Sequence, residues 1–209
     1  MKYNLILLIP LLLTSCFGIN MDITLNRNGS GTISIDYQTN KSLDALGRLD
    51  GNERWNTIPV GRADFERTLE RLPDMKLISH SSREDERNLN VSVRMEFSSI
   101  EGLLSFLDAH GQKSSFTGNV SSGRLLFTLN DGTENINPAL ESLLSDISRG
   151  YFANMGMTFP SAGNLNITDK DGNSVHNDNI LRRGRSVSAN FPLFDVLSAK
   201  NGLYLDFSW

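Results

Sequence analysis

The sequence predicts an α+β fold, a two-layer sandwich of antiparallel sheets that are built from β-hairpins and covered by amphipathic helices. Three observations support this prediction: apolar and polar residues alternate over many short segments, turn signals join these segments, and a few longer segments carry an apolar stripe at helical spacing. Alternating strands are typical of antiparallel sheets with one face in water, whereas parallel strands between helical layers are continuously apolar.

Alternation places the strands. The clearest is 88–97, where five apolar residues from Leu89 to Phe97 alternate with polar ones. Asn28-Gly29 is typical of a hairpin turn and joins the first two strands. The predicted strands are 21–26, 31–38, 75–82, 88–97, 114–118, 124–130, 155–159, 164–168, 186–191 and 203–209.

Helices are predicted from capping signals and apolar stripes. Ser98 and Glu101 have the spacing of a capping box, so Ser98 is predicted to cap a helix with an apolar stripe from Ile100 to Leu107. Asn137-Pro138 is predicted to open a second helix, because proline favours the first helical position. The remaining helices are predicted over 62–72, 42–49 and 193–199.

The N-terminus has the pattern of an export signal. Leu5 to Leu13 is an apolar run after Lys2, and it is too short to cross a bilayer, which takes about 20 residues. The following Leu13-Thr14-Ser15-Cys16 resembles the lipobox of bacterial lipoproteins. That resemblance implies that residues 1–15 are removed and that Cys16 becomes a lipidated N-terminus. The alternative is an ordinary cleavable signal with an incidental thiol.

Lipidation also gives a physical role to the single cysteine of the chain. Structural cysteines of exported proteins usually come in pairs, and here none can pair within the chain. Each buried methylene of an acyl chain contributes about 0.8 kcal/mol, so two or more chains hold a domain stably on a membrane. We therefore expect a lipid anchor, a short tether over 16–20 that reaches about 14 Å, and one domain over 21–209.

Composition and motifs argue against several functional classes. Without Lys2 of the signal, 19 Lys and Arg stand against 24 Asp and Glu, a net charge of −5 that disfavours a nucleic-acid partner. The HExxH, CxxC and GxSxG motifs are absent, and the three histidines are isolated from other metal-ligand residues. No enzyme activity, cofactor or metal is predicted.

The stretch from Asp169 to Asn173 starts like a calcium loop, but a hairpin turn is the better interpretation. The EF-hand pattern needs Gly at its sixth position and Glu at its twelfth, where this chain has Ser174 and Ile180.

Two other regions are candidate contact sites. Arg182, Arg183 and Arg185 are a candidate site for anionic headgroups, because each basic residue contributes about 1 kcal/mol near such a surface, but a solvated turn before the strand over 186–191 is the favoured interpretation. Trp55 lies in the poorly patterned stretch 51–61 and is the candidate for a protein interface.

Both ends of the domain resemble the LppM-like domain of bacterial envelope lipoproteins. The similar stretches are the opening hairpin MDITLNRNGSGTISIDY and the end GRSVSANFPLFDVLSAKNGLYLDFSW. The resemblance implies an α/β two-layer fold and a role in binding lipid or glycolipid, without catalytic residues.

Together these observations predict a non-catalytic lipoprotein of the bacterial cell envelope, anchored on the periplasmic or surface face of a membrane. Its expected ligand is a lipid, a glycolipid or another amphiphile. The alternative is a structural or protein-interaction module with an envelope protein as partner, and a hydrolase with a dispersed site is a third hypothesis.

Overall fold

Sheets dominate the fold, which is a mixed α+β arrangement. The structure is a computed structural model, and it describes residues 18–40, 60–86, 88–108, 114–132, 142, 145–146, 148, 150–175 and 179–209. Within these residues the strands are β1 (Ile19–Leu25), β2 (Gly31–Asn40), β3 (Met75–Glu84), β4 (Asn88–Phe97), β5 (Ser115–Gly118), β6 (Gly123–Asn130), β7 (Phe152–Thr158), β8 (Asn164–Thr168), β9 (Ile180–Arg183), β10 (Ser186–Pro192) and β11 (Leu203–Ser208). The helices are α1 (Arg62–Leu69), α2 (Ile100–Leu107) and α3 (Leu193–Leu197).

Seven strands form a large sheet in the order β3-β4-β2-β1-β7-β10-β9. Each predicted hairpin in it is present, and β1 pairs with β2 across the Asn28-Gly29 turn. The prediction that the sheets are antiparallel is wrong at one place, because β1 and β7 pair in parallel from Ile19 with Ala153 to Thr24 with Thr158. Both strands still alternate, since one face of the sheet is polar, so their side-chain pattern carries no sign of the parallel orientation.

A smaller sheet has the order β5-β6-β11-β8, so the last strand of the chain lies inside it. Backbone hydrogen bonds join Trp209 and Gly123 in both directions, at 3.0 and 3.1 Å, and fix the end of β11 against β6. The Trp209 indole N–H donates to the carbonyl of Val120 at 2.8 Å.

The two sheets share one apolar core. The odd-numbered residues of β4 are all buried, as their alternation predicts, and they belong to one cluster with buried residues of β6, β8 and β11. Phe159, just after β7, connects the sheets, because its ring centroid lies 6.0 Å from that of Phe207 and 5.3 Å from that of Trp209. Helices add Phe65, Leu103 and Val196 to the core. A helical layer that covers both sheets stays a prediction.

Several element boundaries differ from those predicted. Ser99, and not Ser98, is the N-cap of α2, and its hydroxyl accepts a hydrogen bond from the Gly102 N–H at 3.0 Å. The Ser98 hydroxyl instead donates to the Asp74 carboxylate at 2.8 Å. The four-residue strand β9 was not predicted, because its Arg182-Arg183 pair has the composition of a solvated turn.

Two predicted helices fall largely outside the described residues. The helix over 42–49 lies there entirely, and of the helix that Asn137 is predicted to open, residues 142, 145, 146 and 148 are described and helical.

The large sheet has a proximal end, defined by Gly18, Gln38, Phe152 and Pro192. Its distal end is defined by the row that contains Thr24, Thr158, Ser186 and Arg183. β1 begins at Ile19, two residues earlier than predicted, so the tether expected over 16–20 is shorter. The two ends are six residues apart along the strands, or about 20 Å.

Candidate functional site

The outward face of the large sheet is polar, and several side chains at its centre form hydrogen bonds with one another. The Asn154 amide donates to the Asn20 side-chain oxygen at 2.6 Å, and the Asn20 amide donates to Asp22 at 3.2 Å. Further along, the hydroxyls of Thr158 and Ser186 are 2.7 Å apart. These side chains are hydrogen-bonded to one another, so few of their donors and acceptors remain for a ligand.

A depression of about 250 Å³ lies on the same face, over β2, β4 and β3. The strand register brings Gln38, Asn90 and Arg83 into one row and Asp36, Ser92 and Ser81 into the next. We call this the polar depression. Its polar lining consists of Asp36, Gln38, Ser81, Arg83, Asn90 and Ser92, and Tyr37 and Val91 complete it.

The polar depression lies at the proximal end of the sheet. The Gln38 N–H donates to the Gly18 carbonyl at 3.2 Å, so the lining reaches the first residue that the structure describes. Gly18 follows Cys16 by two residues, and two residues extend about 7 Å at most. The polar depression is therefore next to the candidate lipidation site.

Unlike the centre of the face, the polar depression has side chains that are not engaged with one another. Among the described residues, no side-chain hydrogen bond or ion pair involves Asp36, Gln38, Arg83 or Asn90. A guanidinium group binds phosphate or carboxylate in a bidentate manner, and the carboxylate and the amides accept and donate hydrogen bonds to hydroxyls. The arrangement suits an anionic ligand that also carries hydroxyl groups.

Two titratable side chains lie nearby on the core side of the same strands. His80 packs against the ring of Phe65, with centroids 5.5 Å apart, and its Nε2 lies 2.9 Å from the carbonyl oxygen of Val60. Burial raises the pKa of the Tyr37 phenol, and the charge of Asp64 raises it further. The Tyr37 hydroxyl has no hydrogen-bond partner among the described residues. The alternating sequence pattern does not distinguish this buried Tyr37 from other tyrosines, because tyrosine is common in strands.

Arg182 and Arg183 at the end of β9 and Arg185 in the turn to β10, which we call the arginine turn, lie at the distal end. The Arg182 guanidinium donates to Asn164 Oδ1 at 2.7 and 3.1 Å and to the Leu165 carbonyl at 3.3 Å, which ties β9 to β8 of the other sheet. Arg185 donates to the Pro160 carbonyl at 3.3 Å. Headgroup contact by Arg182, Arg183 and Arg185 stays a prediction, and two of them already have structural partners.

The predicted turn after β8 is present. Asp169 Oδ1 accepts hydrogen bonds from the backbone N–H groups of Asp171 and Asn173, each at 2.9 Å. Its Oδ2 accepts from the Asn173 amide at 3.0 Å, and this side-chain hydrogen bond holds the pKa of Asp169 below its usual value. The carboxylate is occupied by its own turn.

Other predicted site residues lie outside the described part of the chain. These are Leu13, Thr14, Ser15 and Cys16 of the lipobox, and Trp55. Within the described ranges, no group of three or more acidic, histidine or cysteine side chains is placed to hold a metal ion. None of the described helices combines the length and apolar character needed to span a bilayer.

Comparison with known proteins gives one structural neighbour. No protein-family model and no curated protein matches the chain. The chain is similar to the folded domain of the LppM protein of Mycobacterium tuberculosis, determined by NMR, at 13% sequence identity and a TM-score of 0.44. The similarity covers 91% of this chain and 88% of that one.

Proposed function

We propose that this protein is a non-catalytic lipoprotein of the bacterial cell envelope that binds the headgroup of a membrane amphiphile in the polar depression. The proposal includes lipid anchoring at Cys16. The observation that carries it is the hydrogen bond between Gln38 and Gly18, because it places the depression beside the first described residue of the chain.

The tether brings the polar depression to headgroup depth. A bilayer is about 40–45 Å thick with its polar regions and about 30 Å without them, so each headgroup layer is about 5–8 Å deep. Cys16 lies within about 7 Å of Gly18 when the intervening chain is fully extended. A lipidated Cys16 therefore holds Gln38 and its neighbours next to the headgroups.

The lining supports a ligand with both negative charge and hydroxyl groups. Arg83 is exposed and supplies the cation for a phosphate or carboxylate. Gln38 and Asn90 supply amides in the same row, with Asn90 between Gln38 and Arg83, and Asp36 supplies an acceptor for hydroxyl groups. Phospholipid and glycolipid headgroups share this chemistry, and binding them requires no catalytic group.

Titration with a soluble headgroup fragment tests the binding site directly. We expect sn-glycerol 1-phosphate to shift the backbone amide resonances of Gln38 and Asn90 in nuclear magnetic resonance spectra, with little change at Thr32. Arg83→Ala should abolish the shifts. Lys76→Ala is the matched control, because Lys76 is exposed on the same strand but lies at the distal end. Equal shifts at Thr32 and Gln38, or none, would contradict the proposal.

A protein-interaction module of the envelope is the second candidate. It is supported by Leu181, which is 57% exposed on the edge strand β9. Crosslinking in cells with a photoreactive residue at position 181 should capture one specific partner, and Leu181→Ser should abolish a contact that depends on this side chain. Trp55→Ala tests the interface predicted from the sequence in the same way.

A further inference from the structure

We propose that the proximal end of the large sheet rests on the bilayer through Phe152 and Leu197, with its strands directed away from the membrane. This inference rests on the proposed anchoring at Cys16. It adds an orientation and a contact surface, and its partner is the apolar boundary of a lipid bilayer.

The described part of the chain begins at Gly18, beside Phe152. Gly18 is buried, and a Cβ atom there would collide with the carbonyl oxygen of Phe152, so only glycine lets the two backbones approach this closely. The Gly18 carbonyl is also held by the Gln38 N–H. The position of Gly18 is therefore fixed, and an acylated Cys16 lies within about 7 Å of it.

Phe152 presents an apolar surface beside Gly18. It is the first residue of β7 and is 37% exposed, whereas Ala153 and Met155 of the same strand are buried. Single exposed apolar residues are ordinary on protein surfaces. The short tether gives this one a partner, because it holds Phe152 close to the membrane.

Leu197 lies at the same end of the molecule. Pro192 pairs with Phe152, and α3 begins at the next residue, where the Leu193 N–H donates to the Tyr151 carbonyl at 2.9 Å. Leu197 follows Leu193 by one helical turn and is 37% exposed. Phe152 and Leu197 are thus two exposed apolar residues at the same end of the β7–β10 pair.

Charge does not favour the opposite orientation, in which the distal end and its arginines would face the membrane. The arginine turn lies about 20 Å from Gly18 along the strands, beyond the screening length of about 8 Å at physiological salt. The proximal end itself carries the exposed Asp195 on α3. Apart from the headgroup proposed for the polar depression, contact at this end is therefore expected to depend on apolar side chains.

Spin labels test the orientation, because the only native cysteine is Cys16. The variants Phe152→Cys and Leu197→Cys probe the contact surface, and Leu181→Cys and Arg183→Cys are the matched controls near the distal end. The full lipidated chain is reconstituted in vesicles of phosphatidylcholine alone. Accessibility of each nitroxide to oxygen, which concentrates in lipid, is compared with accessibility to a water-soluble nickel chelate.

We expect the ratio of oxygen to nickel accessibility to rise several-fold at positions 152 and 197 upon reconstitution and to stay unchanged at 181 and 183. Equal ratios at all four positions, with acylated Cys16 detected by mass spectrometry, would overturn the orientation and leave the anchoring intact. An unmodified Cys16 in protein isolated from its native membrane would overturn both. Leu197 lies on the surface of a short helix, so Leu197→Cys is expected to fold. If Phe152→Cys does not fold, Leu197→Cys alone still tests the orientation.

Discussion

At the residue scale, the pair of Arg124 and Asp206 shows how the fold accommodates a buried charge. Asp206 is 7% exposed on the central strand β11, and the Arg124 guanidinium donates to its two carboxylate oxygens at 2.7 and 2.9 Å. These hydrogen bonds and the negative charge of Asp206 raise the pKa of Arg124. Without its partner, the carboxylate would be left buried and unneutralised, which is costly.

We predict that Arg124→Ala lowers the free energy of unfolding by about 1–2 kcal/mol. This lies at the low end for a hydrogen-bonded charge, because the Arg124 side chain is 62% exposed and solvent screens it. Urea denaturation measures the change. Arg62→Ala is the control, since its ion pair with Glu66 at 2.7 Å is exposed on both sides, and it should cost no more than about 0.5 kcal/mol. Equal costs would contradict the role assigned to Arg124.

Asp169 gives a prediction on pH. The side chain of Asn173, followed by backbone N–H groups, lowers the pKa of Asp169 below its usual 3.8. A lowered pKa stabilises the fold above the usual value, and that contribution is lost as pH falls through the lowered pKa. The melting temperature of Asp169→Ala should therefore be below that of the natural chain at neutral pH, and the gap should close well below about pH 4. A gap that is the same at both pH values would rule this explanation out.

At the element scale, alternation predicted the strands well where one face is fully buried. β4 has the predicted bounds 88–97, because five buried apolar residues alternate with polar ones and leave no other register. Pairing between strands distant in the sequence was not predictable. The parallel β1–β7 contact depends on the packing of two strands that each look antiparallel, so only the three-dimensional structure reveals it.

In helix α2, the capping signal predicted the presence of the helix correctly but misplaced its N-cap by one residue. Ser98 and Ser99 are adjacent serines, and both hydroxyls donate to Asp74, at 2.8 and 3.1 Å. The capping-box spacing favours Ser98, but only the Ser99 hydroxyl reaches an N–H of the first helical turn. The local sequence does not contain Asp74, which lies at the end of the turn before β3.

We predict that Ser99→Ala destabilises the protein by about 1 kcal/mol, because the Gly102 N–H loses its acceptor. Ser105→Ala is the control in the same helix, since the Ser105 hydroxyl is exposed and only donates to the Glu101 carbonyl at 2.8 Å. That variant should be neutral or slightly stabilising. Thermal unfolding of both proteins decides the matter, and a larger loss for Ser105→Ala would contradict the capping assignment.

At the scale of the whole molecule, the sequence predicted the polar face of the sheet but not the polar depression. Gln38, Arg83 and Asn90 come from three strands, and only the register of β2, β4 and β3 brings them into one row. Taken singly, each is an ordinary polar residue in an alternating strand. The charges of the arginine turn are contiguous in the sequence, whereas the structure places the turn at the distal end.

The proposed account combines three features of one molecule: an acylated Cys16, a proximal end close to the bilayer, and a headgroup site beside it. The strands would then stand on the membrane, and the polar depression would open sideways at headgroup depth. The short distance from Cys16 to Gly18 is the feature on which this arrangement depends. A longer tether would let the domain tumble and would separate the depression from the lipid.

The most direct test is to isolate the lipidated protein from its native membrane and to identify retained lipid by native mass spectrometry. The account predicts that the natural chain and Lys76→Ala retain one anionic, hydroxyl-bearing amphiphile, and that Arg83→Ala loses it while its Cys16 remains acylated. Retention of the same lipid by all three proteins, or by none of them, would contradict the proposed headgroup site.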